Sequence, residues 1–251
     1  MERVQTFALN AYFQFLSTSV VIVKVSKKKH QLKCYLCNAT ATTRDHVPPV
    51  GLFPHPRPKN LITVPACESC NQKNSLHDEY FRLIVATSSP NSAASLSLLH
   101  QRILPRMKRR PALITSFMKS LQWAEIKSKK GIYLGRAKAF TPDELRIQAV
   151  IEKIIRGLYY HHQKRALPSD HFIEKYYRNP DLTEEFWKAI SSLPRRDIGE
   201  NGSVFSYRYA VDEQVDANSF WFLMFFDNSF FISRTWKIDN LVSALPTANE
   251  E

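Results

Sequence analysis

Glycine is scarce in this chain, with 6 among 251 residues, and no internal repeat or polar low-complexity tract occurs, which excludes a collagen-like or mostly disordered protein. Long apolar runs are missing as well. The two best, Tyr12 to Val25 and Phe220 to Ile232, are broken by Gln14, Ser17, Thr18 and Ser19 and by Asp227, Asn228 and Ser229. Neither offers the roughly 20 clean apolar residues of a membrane helix. The amino end has Glu2 beside Arg3 and no small-residue cleavage pattern, so a signal peptide is a poor reading. A cytoplasmic protein with no membrane partner is expected.

Acidic residues almost vanish from one stretch. Residues 81–140 hold 12 Lys/Arg against 1 Asp/Glu, residues 1–80 hold 10 against 5, and residues 141–251 hold 13 against 17. The net charge of +12 therefore belongs to the first 140 residues. An anionic polymer is the natural partner of such a surface, and a solvated basic face that keeps the protein soluble is the alternative.

Cysteine is sparse too, but its four copies fall in two pairs, Cys34-Tyr-Leu-Cys37 and Cys67-Glu-Ser-Cys70, with none left over. Two disulfides suit a small secreted scaffold better than a cytoplasmic chain of this length. Two such knuckles, separated by about 29 residues, can converge on one tetrahedral ion, and thiolates favour zinc. A structural zinc on Cys34, Cys37, Cys67 and Cys70 is expected.

At about 150 residues per domain the length allows one to two domains, and 44% apolar residues suffice for a real core. Pro48, Pro49, Pro54, Pro56 and Pro58 forbid a long helix between the cysteine pairs. Leu61 to Val64 reads as a short strand, and Cys70 to Phe81 as a helix. Ala94 to Leu104 and Ile114 to Ile126 carry apolar residues at mixed three and four spacing, which predicts helices. Between them Arg106-Met107-Lys108-Arg109-Arg110-Pro111 is a phosphate-binding patch or a charged linker. Thr141, Pro142 and Glu144 mark a helix start, followed by a broad apolar face from Leu145 to Leu158 that ends at His161 and His162. A second helix is expected over Asp181 to Ser191, then strands over Ser203 to Ala210, Ser219 to Phe226 and Ser229 to Ser233, the last two joined at Asp227-Asn228. The organisation is thus α+β, with residues 1–81 as a zinc-knuckled module, 82–140 as a basic, partly helical segment, and 141–251 as an α+β module.

Chemistry concentrates in Arg44-Asp45-His46-Val47-Pro48, placed between the cysteine pairs. The aspartate offers a hard oxygen ligand, and the histidine beside it a base of near-neutral pKa. Asn71 directly follows the last cysteine and starts a helix that a zinc would fix, so its amide oxygen can reach the same ion as Asp45. Arg44 and Lys73 are phosphate clamps or exposed surface residues. His55 and His77 either assist a metal or sit on the surface.

Cys34-x-x-Cys37, Asp45-His46-x-Pro48, Asn60-Leu61 and Cys67-x-x-Cys70-Asn71-x-Lys73, in this order, resemble the HNH endonucleases, the zinc-knuckled branch of the His-Me finger nucleases. The resemblance covers residues 31–80. It implies a ββα-metal core and metal-dependent hydrolysis of phosphodiester bonds, usually in DNA. It also implies His46 as general base, Asp45 as ligand to one catalytic Mg²⁺ or Mn²⁺, and Asn60 as the brace of the loop carrying the base. Asn71 stands where many members have a histidine, which makes this a His-Asn-Asn form. The nucleic acid, expected to be double-stranded DNA, would be gripped by Arg44, Lys73, Arg106, Lys108, Arg109 and Arg110, and a homodimer or a protein partner would engage the carboxy-terminal module. The contending expectation is a zinc module without catalysis that binds nucleic acid or protein. Catalysis at the zinc itself is disfavoured, because four thiolates leave no open position.

Overall fold

In the computed structural model, the described residues are 31–73, 75–107, 111–128, 130–176, 182–199, 203–212 and 217–237. The apolar run Tyr12 to Val25 and the basic residues Lys108, Arg109 and Arg110 lie outside them. Proline punctuation confines the first strands to short pieces, β1 (Thr43–Val47) and β2 (Ile62–Ala66), paired antiparallel with Asp45 opposite Val64 and His46 opposite Thr63. Helix α1 (Glu68–Lys73) follows β2 directly, and α2 (Ser75–Thr87) continues it. This is a β-β-α region with the four cysteines beside it.

Helices α3 (Ala93–Leu98), α4 (Leu104–Met107) and α5 (Pro111–Lys119) come next, with a wide π turn over Leu99–Ile103 between the first two. The helical spacing from Ile114 fails beyond Lys119. Leu121–Lys127 is strand β3, paired with β4 (Tyr133–Phe140) as an isolated two-stranded ribbon. Helix α6 (Glu144–Gln163) starts two residues later than Thr141 would cap it: Asp143 is the cap, its Oδ1 accepting from Arg146 N at 3.3 Å. Ile147, Val150, Ile151, Ile154, Ile155 and Leu158 are all buried along it. Lys164, in the left-handed conformation at φ 57°, closes the helix by donating its N–H to Tyr160 O.

The carboxy-terminal part holds β5 (His171–Tyr176), α7 (Glu184–Ser192), β6 (Arg196–Ile198), β7 (Phe205–Val211), β8 (Ser219–Phe225) and β9 (Ser229–Lys237). The strands form one antiparallel sheet in the order β5-β9-β8-β7-β6. Strand periodicity explains why β8 and β9 read as an almost continuous apolar run: Trp221, Leu223, Phe225 and Phe231 face the main core, whereas Phe222 and Ile232 meet Ile190 of α7 on the other side. Phe81 of α2 joins the main core, edge-on to Phe225 at 5.2 Å between ring centroids. Burying such a ring contributes about 1.5–3 kcal/mol. Val47 of β1 and the α6 stripe enter the same core, so the β-β-α region is seated on α6 and the sheet. All described residues belong to one compact unit. No helix among them is long and apolar enough to cross a membrane.

Gly157 permits this seating. A Cβ at that position would lie 2.4 Å from Val47 Cγ2, so only glycine lets α6 approach β1 so closely.

Candidate functional site

Cys34 and Cys37 sit on a tight loop closed by the Lys33–Thr40 bridge, with Cys34 N donating to Ala39 O at 2.7 Å and Asn38 in the left-handed conformation. Cys67 leaves β2 and Cys70 lies in α1, with Asn71 N donating to Cys67 O at 3.1 Å. The four Sγ atoms lie within 4.8 Å of one another, and Cys37 and Cys67 are 3.6 Å apart at sulfur. A Zn–S bond of about 2.3 Å sets tetrahedral S···S edges of about 3.8 Å, whereas a disulfide needs about 2.05 Å. The cysteines are free thiols arranged to hold a metal ion. Burial would raise the Cys34 thiol, yet backbone N–H groups of Cys67, Leu36 and Cys37 bring it down to about 7. Such donors stabilise a thiolate, the form that binds metal.

Beside this cluster, Asp45, His46 and Asn71 line one cleft of about 470 Å³ together with Arg44, Asp78, Glu79, Arg82 and Arg106. Asp45 is 5% exposed. Its Oδ2 accepts from Tyr35 Oη at 2.9 Å and faces Lys153 Nζ at 3.2 Å. Lys153, on α6, is 3% exposed and also pairs with Asp78 Oδ2 at 3.1 Å. Burial and the Asp45 charge push the Tyr35 hydroxyl far up, so it stays a neutral donor. Burial also raises the Asp78 carboxyl, against the pull of Lys153, and its Oδ1 is buried with no hydrogen-bond partner. With both acids ionised, two carboxylates face one ammonium at the floor of the cleft. The rim has the opposite sign. There Arg106 approaches Glu79 at 3.9 Å and Arg44 is fixed on Thr63, its Nη2 2.8 Å from Oγ1, while the buried Arg82 lies 3.6 Å from Glu79 on its inner side.

His46 is partly buried, and that desolvation lowers its pKa; Asp45 opposes the shift, while Arg57 and Lys153 reinforce it. The ring therefore rests neutral at neutral pH, and neither nitrogen has a hydrogen-bond partner among the described residues. Asn71 donates from Nδ2 to Thr43 Oγ1 at 3.1 Å and to Arg44 O at 3.4 Å. Because a carbonyl only accepts, this fixes which way the amide is turned and leaves Oδ1 as a hard acceptor unengaged among the described residues.

Asn60 is placed elsewhere. Its amide bonds Asp197 O at 3.2 Å and accepts from Gly199 N at 3.0 Å, tying the loop before β2 to β6, an edge strand of the large sheet, and it does not line the cleft. Lys73 is exposed at the end of α1 and also lies off the lining. His55 meets Arg102 Nη2 at 2.8 Å, and His77 has a buried, unpartnered Nδ1; neither lines the cleft.

Tyr35, Asp78, Arg82 and Lys153 are not legible as site residues in the sequence. One signal exists for Lys153: it interrupts the apolar stripe of α6 between Val150 and Ile154, and a lysine on a buried face requires an acid. No protein-family profile, curated protein or solved structure matches the chain.

Proposed function

We propose that this chain is a metal-dependent endonuclease of the HNH type, in its His-Asn-Asn form, acting on double-stranded DNA. The observation that carries the reading is the arrival of Asp45, His46 and Asn71, from two different elements, in one solvent-open cleft beside the four-cysteine cluster.

The donor set fits a hard divalent cation such as Mg²⁺ or Mn²⁺: a carboxylate and an amide oxygen with no other partner among the described residues, with the second carboxyl, Asp78, lining the same cleft. Asp45 and Asn71 would hold it, and when bound it supplies Lewis-acid stabilisation of charge developing on the phosphate. Tyr35 and Lys153 engage Asp45 through Oδ2, which orients the carboxylate and leaves Oδ1 as the ligand atom. His46, neutral through its burial, takes the proton of the attacking water at a ring nitrogen that has no hydrogen-bond partner among the described residues. Arg44 and Arg106 draw the polyanion to the cleft mouth. A zinc held by the four thiolates would be closed to substrate, and it would fix the Cys67–Cys70 turn and thereby α1, which carries Asn71.

A zinc module without catalysis draws on one observation, that Asp45 already has Tyr35 and Lys153 as partners and serves the fold through them. The two readings part over added metal. Cutting of plasmid by zinc-loaded protein that needs Mg²⁺ or Mn²⁺, and that is lost in Asp45→Asn and Asn71→Ala variants with zinc content retained, is expected of the nuclease. No cutting of plasmid, single-stranded DNA or structured RNA is expected of the binding module.

A further inference from the structure

We infer that the β3–β4 ribbon is a nucleic-acid-gripping arm, contacting duplex phosphates through Lys127, Lys130, Arg136 and Lys138 and the groove edge through Trp123 and Tyr133. The choice of polymer rests on the nuclease reading; the surface itself rests on the ribbon's exposure, register and charge.

The ribbon has only two strands, and no third strand pairs with either edge among the described residues. Two strands alone are marginal in water and ordinarily need an apolar face covered. Here the base is anchored, with Phe140 against Phe117 of α5 at 5.3 Å between centroids, while the rest projects. Trp123 is 68% exposed, Tyr133 55% and Leu134 65%. Aromatic rings held out in water at this density are a contact surface awaiting its partner.

Register sorts the side chains. Trp123 lies opposite Lys138 and Glu125 opposite Arg136 on one face; Gln122, Ala124 and Ile126 lie opposite Ala139, Ala137 and Gly135 on the other, and the register shifts after Ile126, where Lys127 meets Tyr133. The first face is therefore aromatic and cationic, and the second is nearly flat. Lys138 Nζ already sits over the Trp123 ring at 5.7 Å. In sequence, Lys127, Lys129, Lys130, Arg136 and Lys138 outnumber the single acid Glu125. That acid is engaged by Lys127 at 3.3 Å, and Arg136 and Lys130 have no acidic partner among the described residues.

This charge is complementary to a phosphate backbone, and a two-stranded ribbon is one of the two elements a major groove of about 12 Å admits. Cations interleaved with aromatic faces suit a polymer that offers phosphates and base edges together.

The test measures binding without cutting. Zinc-loaded protein carrying His46→Ala is titrated by fluorescence anisotropy with a labelled DNA duplex over a salt series, alone and with Lys127→Ser/Arg136→Ser/Lys138→Ser, or with Trp123→Ala. Each phosphate left without its cation lowers the slope of log affinity against log salt by about 0.9, so the triple variant is expected to lose between two and three units of slope and about 10- to 100-fold in affinity. Trp123→Ala is expected to weaken binding several-fold with the slope unchanged, because a ring releases no counterions. Unchanged affinity and slope in the triple variant, with an unchanged melting temperature, overturns the proposal. So does absence of duplex binding by the parent, or binding to anionic lipid vesicles in place of DNA. Ribbon-dependent duplex binding by a protein whose wild type never cuts plasmid would uphold the arm and defeat the nuclease reading. Cutting by the wild type with ribbon-independent binding would do the reverse.

Discussion

Lys153→Met removes the ammonium that holds Asp45 and Asp78 together at 3.2 and 3.1 Å. The thioether fills nearly the same volume, so packing along α6 is conserved and the perturbation is electrostatic. Two carboxylates would then face each other in a site where Lys153 is 3% and Asp45 5% exposed. Breaking a buried pair by deleting one partner costs about 3–5 kcal/mol, because the remaining charge has lost its compensation. For a chain of this size about 1 kcal/mol corresponds to about 2–4 °C, which puts the fall in melting temperature between about 6 and 20 °C. Calorimetry or circular dichroism on zinc-loaded protein measures it. The double variant Lys153→Met/Asp78→Asn leaves a single carboxylate, Asp45, which still accepts from Tyr35, so it is expected to recover at least about a third of the loss. A Lys153→Met protein that melts within about 2 °C of wild type would refute the reasoning, as would strict additivity of the two substitutions, since groups in direct contact must couple.

Gly157→Ala gains helix propensity worth about 1 kcal/mol but places a methyl against Val47, and overpacking costs about 1–3 kcal/mol; a net loss of stability is expected that Val47→Ala reverses, read by denaturant melts of the three variants. Cys67→Ser is expected to lower bound zinc from one equivalent toward none and to loosen the turn before α1, as measured by metal analysis and amide exchange around Asn71. His162 stacks on Tyr209 and meets the Tyr207 hydroxyl at 2.9 Å; burial first, then the charges of His161, Arg196 and Lys164, drive its pKa from 6.5 to about 4. The unfolded chain binds the extra proton in that window, so the stabilising contribution is complete above pH 6.5 and lost as pH falls toward 4. The difference in melting temperature between wild type and His162→Phe is therefore expected to shrink over that range, and a constant difference would count against it.

The hydrophobic pattern reveals β8 and β9 because each alternates between two buried faces, β7 because Phe205 and Tyr207 mark its core face, and α6 because of its stripe. It misplaces Leu121 to Lys127, where apolar spacing runs on past Lys119 with only Ser120 as punctuation, and nothing local announces that the chain turns into a ribbon. Asp45 and Lys153 explain why the site is only half legible. Each breaks the apolar pattern of its own element, Asp45 in the buried row of β1 and Lys153 in the buried row of α6, and the charge of each is met by a residue distant in sequence. Asp45-His46 and Asn71 are readable because cysteine spacing frames them. The partners that orient them arise from tertiary packing, and so do the bonds of Asn60 to Asp197 and Gly199.

The most direct test of the central claim is the rate of Mg²⁺-dependent cleavage of supercoiled plasmid by wild type and by His46→Ala, matched in zinc content and melting temperature. A general base contributes about 10²- to 10⁴-fold, so the variant is expected to fall by that factor, with partial recovery on adding free imidazole. His46→Ala protein that cuts at the wild-type rate, or a wild type that cuts no nucleic acid with any divalent ion, would contradict the account.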